Sequence, residues 1–226
     1  RCTYCSFVSY TSKRLLSLIP EYIEKLKTDI KANFDLIARL GLRVRTLYIG
    51  GGTPTILDER QLSDLLGYIA SVTDVSTLDE YTLEAGRPDT ITPEKLRILR
   101  LHNVDRISIN PQTFNQQTLE KIGRNHSVEQ ALKAYRLAKT YGFRSINMDL
   151  IAGLPDETFE DFAASLDTAL ALCPENITVH TLALKRSSEL NASGAGVANG
   201  NTAKRMLEYA SSALTGRGYA PYYMYR

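Results

Sequence analysis

About five times along this chain, a short β-branched or aromatic run gives way to a longer stretch with apolar residues every three or four positions. That alternation limits the fold more than any other feature. Strands separated by helices pair in parallel, because a tight hairpin is not available to them. The spacing predicts a helix over 20–40, where Tyr22, Ile23, Leu26, Ile30, Phe34, Ile37 and Leu40 recur at three and four. Pro20 suits its first turn and Gly41 its C-cap. Strands are expected over 44–49, 81–84, 105–109, 143–151 and 176–182. Helices are expected over 59–71, 93–101, 115–122, 127–141, 158–172 and 202–216, with Thr92 and Pro93 as N-cap and N1 of the second. The fold class is therefore α/β, with right-handed crossovers curling the array into a full or partial parallel barrel.

Composition narrows the class further. The 226 residues are 43% hydrophobic, enough for one sizeable core, so one domain over 1–226 is expected. Lys plus Arg is 27 and Asp plus Glu is 25, a near-balance that argues against a nucleic-acid partner bound through a basic patch. No run of about 18 apolar residues is present, so no membrane span is expected. No signal peptide is visible. Three cysteines are too few for a disulfide framework, and a C-x-x-C pair implies metal or redox chemistry in a reducing, cytoplasmic setting.

In a parallel βα array the site lies at the C-terminal ends of the strands. Those ends hold Gly50 to Thr53, Glu84 to Arg87, Asn110 to Gln112, Asp149 to Gly153 and His180 to Ala183. Glycine, charge and amide concentrate there, whereas the strands themselves read as apolar. The stretch from Ser187 to Asn201 is small and polar and reads as a mobile loop.

Cys2 and Cys5 stand on an expected loop. They admit three uses: half of a structural zinc site, a thioredoxin-like pair, or two ligands of an iron–sulfur cluster. Cys173, beside Pro174 at a helix end, is remote from them in this fold. The triple glycine Gly50-Gly51-Gly52 is either a tight βα turn or a backbone surface that a polar ligand approaches closely. No lysine follows it, which removes a P-loop reading. Glu84 and Asp149 are either solvated rim or acceptors for a ribose or an ammonium group. Arg124 offers a guanidinium fork to a carboxylate. Asp105 opens its strand at the opposite end and reads as structural. His102, His126 and His180 lack metal-ligand spacing; His102 reads as a helix-end residue and His180 as a substrate contact. Tyr219, Tyr222, Tyr223 and Tyr225 read as core or interface.

Taken together, these stretches resemble the radical S-adenosylmethionine (SAM) superfamily, and within it the oxygen-independent coproporphyrinogen III oxidase-like group. The superfamily motif is C-x-x-x-C-x-aromatic-C, and Cys2, Tyr4 and Cys5 match its second cysteine, aromatic and third cysteine. The first cysteine is expected four positions before Cys2. The sequence GGGTPT from Gly50 to Thr55 matches the glycine-rich loop. SINPQTFN from Ser108, IGRNH from Ile122 and INMDLIAGLP from Ile146 fit the narrower group.

The resemblance implies a barrel of about six βα units with a truncated first strand. The chain would be a core domain truncated at both ends, lacking the first cluster cysteine and a C-terminal domain that covers the substrate. It implies that Cys2 and Cys5 ligate a [4Fe-4S] cluster and that Tyr4 faces the cofactor. Gly51, Gly52 and Thr53 would meet the methionine end of SAM. Glu84, Gln112, Arg124 and Asp149 would hold its ribose and methionyl groups, and Ala183 would lie beside the adenine. The implied reaction is radical oxidation and decarboxylation of the propionates of a porphyrinogen, with an electron donor such as flavodoxin or ferredoxin. Two departures mark a divergent branch. Phe7 stands where the best-known oxidases have a fourth cysteine, and Gly86-Arg87-Pro88-Asp89 follows Glu84-Ala85. A methyl transfer on another substrate, or haem binding and delivery without catalysis, are the alternatives.

Overall fold

A computed structural model describes residues 2–5, 13–183, 188–192 and 200–222. In chain order its elements are α1 (Lys13–Leu16), α2 (Ile19–Arg39), β1 (Thr46–Ile49), α3 (Glu59–Val72), β2 (Glu80–Glu84), α4 (Pro93–Leu101), β3 (Arg106–Gln112), α5 (Gln116–Lys121), α6 (Val128–Lys139), β4 (Ser145–Ala152), α7 (Phe159–Leu172), β5 (Asn176–Thr181), α8 (Glu189–Ala192) and α9 (Gly200–Gly216). All five strands pair in parallel in the order β1-β2-β3-β4-β5. The sheet is open, so β1 and β5 are its edges. Five strands are present among the described residues, against the six units implied by the resemblance.

Helices α3 to α7 start where local chemistry supplies a side-chain cap, whereas Leu18 before α2 makes none. Asp58 and Gln61, Ser127 and Gln130, and Thr158 and Asp161 form reciprocal capping boxes at α3, α6 and α7. Each box satisfies two backbone N–H groups that the first helical turn leaves unpaired. Thr92 caps α4 with Pro93 in its first turn. His102 is the C-cap of α4. Helix α2 ends at Leu40, with Gly41 just beyond at φ +64°.

The strands are not apolar throughout, as the sequence reading expected. They alternate, and the period of two sends successive side chains to opposite faces. Leu83, Ile107, Ile109, Ile146, Met148 and Leu150 lie on one face, each 1% exposed or less, and pack with Leu62, Leu66, Leu99, Phe162 and Leu166 of the helices. Burying side chains of this size contributes about 1.5–3 kcal/mol each. The other face carries Tyr48, Glu84, Arg106, Ser108, Asn110, Asn147, Asp149, Asn176, Thr178 and His180. An open parallel sheet with one polar face makes a concave, hydrogen-bonding interior.

At the N-terminal ends of the strands, Asp105 is a joint. Its Oδ1 accepts from the Tyr81 N–H at 2.9 Å, and its Oδ2 pairs with Arg144 Nε at 2.6 Å. Cys173 belongs to this end. It lines an open cavity of about 620 Å³ with Glu80, Arg106 and Tyr222. Tyr219 Oη donates to the Pro174 carbonyl, and Arg106 and Asn176 both donate to Tyr222 Oη. Tyr223 and Tyr225 lie outside the described residues, as does Phe7. The loop expected over 187–201 contains the short helix α8, and α9 already begins at Gly200; residues 193–199 lie outside the described set.

Candidate functional site

Three strand ends and the two-cysteine turn converge at the C-terminal side of the sheet. Cys2 to Cys5 form a single turn, in which the Cys5 N–H donates to the Cys2 carbonyl at 3.2 Å. The turn is strapped from both sides. The Thr3 N–H donates to the Ile122 carbonyl at 3.0 Å, and the Leu190 N–H donates to the Thr3 carbonyl at 2.8 Å. The Tyr4 ring packs on the small cluster of Leu119, Ile122, Ile151 and Leu154. No group of three or more His, Cys, Asp or Glu side chains able to hold a metal forms among the described residues. The turn therefore offers two thiols, and Cys173 is at the other end of the sheet.

Arg124 links the turn to the strand ends. Its Nη2 donates to Tyr4 Oη at 3.0 Å, and its Nη1 donates to the Gly86 carbonyl at 3.1 Å. Its Nε is buried with no hydrogen-bond partner among the described residues. Burial works against the guanidinium charge, but Tyr4, Cys2 and Asp149 outweigh it and hold the pKa above the ordinary arginine value. Burial raises the Tyr4 phenol, partly offset by Arg124. A half-buried cation with an unused donor suits an anionic ligand group.

Glu84 ends β2 and is held by two donors. Tyr48 Oη donates to its Oε1, and the Gly51 N–H donates to its Oε2 at 3.2 Å. Gly51 has φ +106°, a conformation that glycine adopts without strain. A Cβ on either Gly51 or Gly52 would meet no atom within 4 Å, so this loop borders open space. Thr53 precedes the short 3₁₀ turn Pro54–Ile56, and its carbonyl accepts from the Ile56 N–H at 2.9 Å. Beneath it, Thr55 bonds Thr90 at 2.6 Å and its carbonyl accepts from Lys95 at 2.7 Å. The glycine loop thus stands on a fixed base.

Asp149 is positioned by a ladder of amides and hydroxyls on the polar face. Asn147 Nδ2 donates to Asp149 Oδ1 at 2.7 Å and to Ser108 Oγ at 2.8 Å. Asn147 Oδ1 accepts from Asn176 at 2.7 Å and Thr178 at 2.9 Å. Ser108 Oγ bonds Asn110 Oδ1 at 2.5 Å. The other Asp149 oxygen lies 3.7 Å from His180 Nε2, an ion-pair separation, and this partnership raises the His180 pKa against the effect of burial.

The remaining expected residues sit at the same end. Gln112 is buried at a bulge in β3, with φ +72°. A non-glycine residue held there is a strained position of the kind that clusters at functional sites. Ala183 is exposed just past β5, where the Leu182 N–H donates to the Ala152 carbonyl at 2.9 Å. His126 is buried, and burial followed by Arg124 depresses its pKa to about 4. His102 pairs with Ser63 at 3.2 Å, away from the site.

The sequence reading missed Tyr48 and Asn147. Both are ordinary strand residues by type. The signal for each was its register, two places before a residue already singled out: Tyr48 before Gly50 and Asn147 before Asp149. It missed Glu157 as well. This carboxyl is 5% exposed beside Thr113, which donates to it, and burial pushes its pKa up to about 7.

With this geometry in place, comparison with known proteins is informative. The model of the radical SAM superfamily matches residues 1–169. The chain is 40% identical over 230 residues to the oxygen-independent coproporphyrinogen-III oxidase-like protein HemZ of Bacillus subtilis, covering all of this chain and 46% of HemZ. It is 38% identical over 183 residues to the heme chaperone HemW of the same organism, covering 80% of this chain and 47% of HemW. The structure of coproporphyrinogen III oxidase HemN from Escherichia coli, a radical SAM enzyme, superposes with a TM-score of 0.84 at 26% identity, over 97% of this chain and 50% of HemN. The chain spans about half the length of these relatives.

Proposed function

The chain belongs to the radical SAM superfamily, and from that premise we propose that its strand-end cluster binds the cofactors for an oxidation of a porphyrinogen. The superfamily uses a [4Fe-4S] cluster and SAM. Bound together, they supply a carbon-centred radical able to remove a hydrogen atom from an unactivated C–H bond.

The chain's own residues then have defined tasks. Cys2 and Cys5 would be two of the soft sulfur ligands that hold the cluster, presented on one turn. Tyr4 packs that turn against the sheet and screens it from water. Gly51, Gly52 and Thr53 leave room for the methionine end of SAM. Glu84 would accept from its ammonium group, and Arg124 Nε would donate to its carboxylate. Asp149 and Gln112 would meet the ribose hydroxyls, and Ala183 would leave space for the adenine. Positioning and exclusion of water are the protein's share; the radical chemistry is the cofactor's.

One observation supports this reading above the others. The acceptors Glu84 of β2 and Asp149 of β4, the donor Arg124 and two thiols lie together at the C-terminal side of the sheet. The proposed substrate class is supported by the likeness to HemZ, matched over the full chain, and to HemN. Propionate decarboxylation would need one electron from a donor such as flavodoxin or ferredoxin to start each turnover, and an acceptor for the electron that the substrate gives up as CO2 leaves and the vinyl group forms.

A second reading is haem binding and delivery. It is favoured by the relatives named heme chaperone HemW, at 38% identity in the case above. The deciding experiment is anaerobic reconstitution followed by incubation with SAM, reductant and coproporphyrinogen III. Substrate-dependent 5′-deoxyadenosine with release of CO2 is the expected result. Haem binding without SAM cleavage would replace the first reading by the second. A methylated product would replace both.

A further inference from the structure

Tyr48 has no packing reason to be aromatic. It lies on the edge strand β1, faces the polar interior, and is 59% exposed. Its hydroxyl nevertheless reaches across one strand to Glu84 Oε1. Burial and then Glu84 raise the phenol's pKa, which keeps it a neutral donor. On the other oxygen, Glu84 accepts from the Gly51 N–H at 3.2 Å. The first glycine of the loop has a matching explanation. A Cβ at Gly50 would collide with Tyr48 Cε1 and approach Glu84 Cδ to 3.1 Å. Gly50 is needed because the tyrosine ring and the carboxylate pass directly beneath the loop.

A carboxylate has about four acceptor sites on two oxygens. Two are taken, one on each oxygen, by a side chain of β1 and by the loop backbone. The carboxylate plane is thereby fixed, and the remaining sites are left for a ligand.

We propose that Tyr48 is a positioning residue for the SAM site: it orients Glu84 so that the carboxylate's free acceptor sites meet the SAM ammonium group. This rests on the cofactor reading above and adds to it a residue that the motifs do not contain. Tyr48 acts through Glu84 and not on SAM directly.

A double-mutant cycle in cluster-reconstituted protein tests this, with the SAM dissociation constant from anaerobic equilibrium dialysis as the readout. Tyr48→Phe should weaken SAM binding by about 5- to 10-fold, the effect of one hydrogen bond. Glu84→Gln should weaken it more. In the Glu84→Gln background, Tyr48→Phe should cost almost nothing further. Iron content and thermal midpoint should be unchanged in Tyr48→Phe, because an exposed ring loses no core contact. An equal loss in both backgrounds would overturn the proposal, since Tyr48 would then act independently of Glu84. A silent Tyr48→Phe beside a weakened Glu84→Gln would overturn it while leaving the SAM site standing. A silent Glu84→Gln would overturn the SAM role of Glu84, and the proposal with it. Gly50→Ala gives a second route. It should displace the ring and reproduce the Tyr48→Phe loss, and unchanged SAM affinity in that variant would count against the proposal.

Discussion

Asn147 holds Asp149 in place: its Nδ2 lies 2.7 Å from Asp149 Oδ1, and every other hydrogen-bonding site on the Asn147 amide is also used. Two donors and two acceptor sites meet Asp149, Ser108, Asn176 and Thr178, which tie β3, β4 and β5 together. An amide is the one small side chain that can satisfy this mixed set. Asn147→Ala should cost about 2–4 kcal/mol of stability in urea unfolding, since it strands one buried and three half-buried groups at once. Asn147→Asp should be worse at neutral pH than at pH 4, because it places a second carboxylate against Asp149.

Asp149→Asn should weaken SAM binding in dialysis while leaving iron content intact. Unchanged SAM affinity would remove Asp149 from the ribose role. The same variant should lower the His180 pKa, because Asp149 is what raises it. The sign follows from linkage. A histidine whose folded pKa is raised adds stability that is fully present below its unfolded pKa of about 6.5 and is lost as pH rises through the folded value. An NMR titration of His180 in both proteins would measure the shift.

Cys5→Ser should abolish cluster binding and spare the fold. The turn is held by the backbone bonds of Thr3 and by Tyr4, so the stability change should stay within about 0.5 kcal/mol. Iron content and circular dichroism check the two halves separately. Retained iron would sink the ligand assignment.

Tyr4→Phe should behave differently. It keeps the apolar packing but removes the partner of the half-buried Arg124 Nη2. The expected cost is about 1–3 kcal/mol in unfolding.

Glu157 gives a pH-dependent prediction. Its pKa is raised from 4.5 to about 7 by burial, so the folded state disfavours the charge. Stability should therefore fall as pH rises from about 4.5 through 7. Glu157→Gln removes the ionisation and should flatten that slope in urea midpoints measured across the same range. An unchanged slope would mean that another group carries it.

The alternation of short β-branched runs with three-to-four-spaced apolar residues determined the parallel βα architecture, because each pattern permits only one kind of element. Thr92 and Pro93 placed the start of α4 where it is found. Motif residues at strand ends, Glu84 and Asp149 among them, were legible because parallel strands bring their C-terminal ends to one side. What the sequence left undecided depends on distances between strands. The polar face was hidden inside runs that look apolar when read without their alternation. Tyr48 gained a role only when β1 lay beside β2 and its hydroxyl could cross to Glu84. Asn147 became a hub only when β3 and β5 flanked β4. A hydrogen bond is set by a few ångströms in three dimensions, whereas a propensity or a period is set along the chain; tertiary structure alone decides the first.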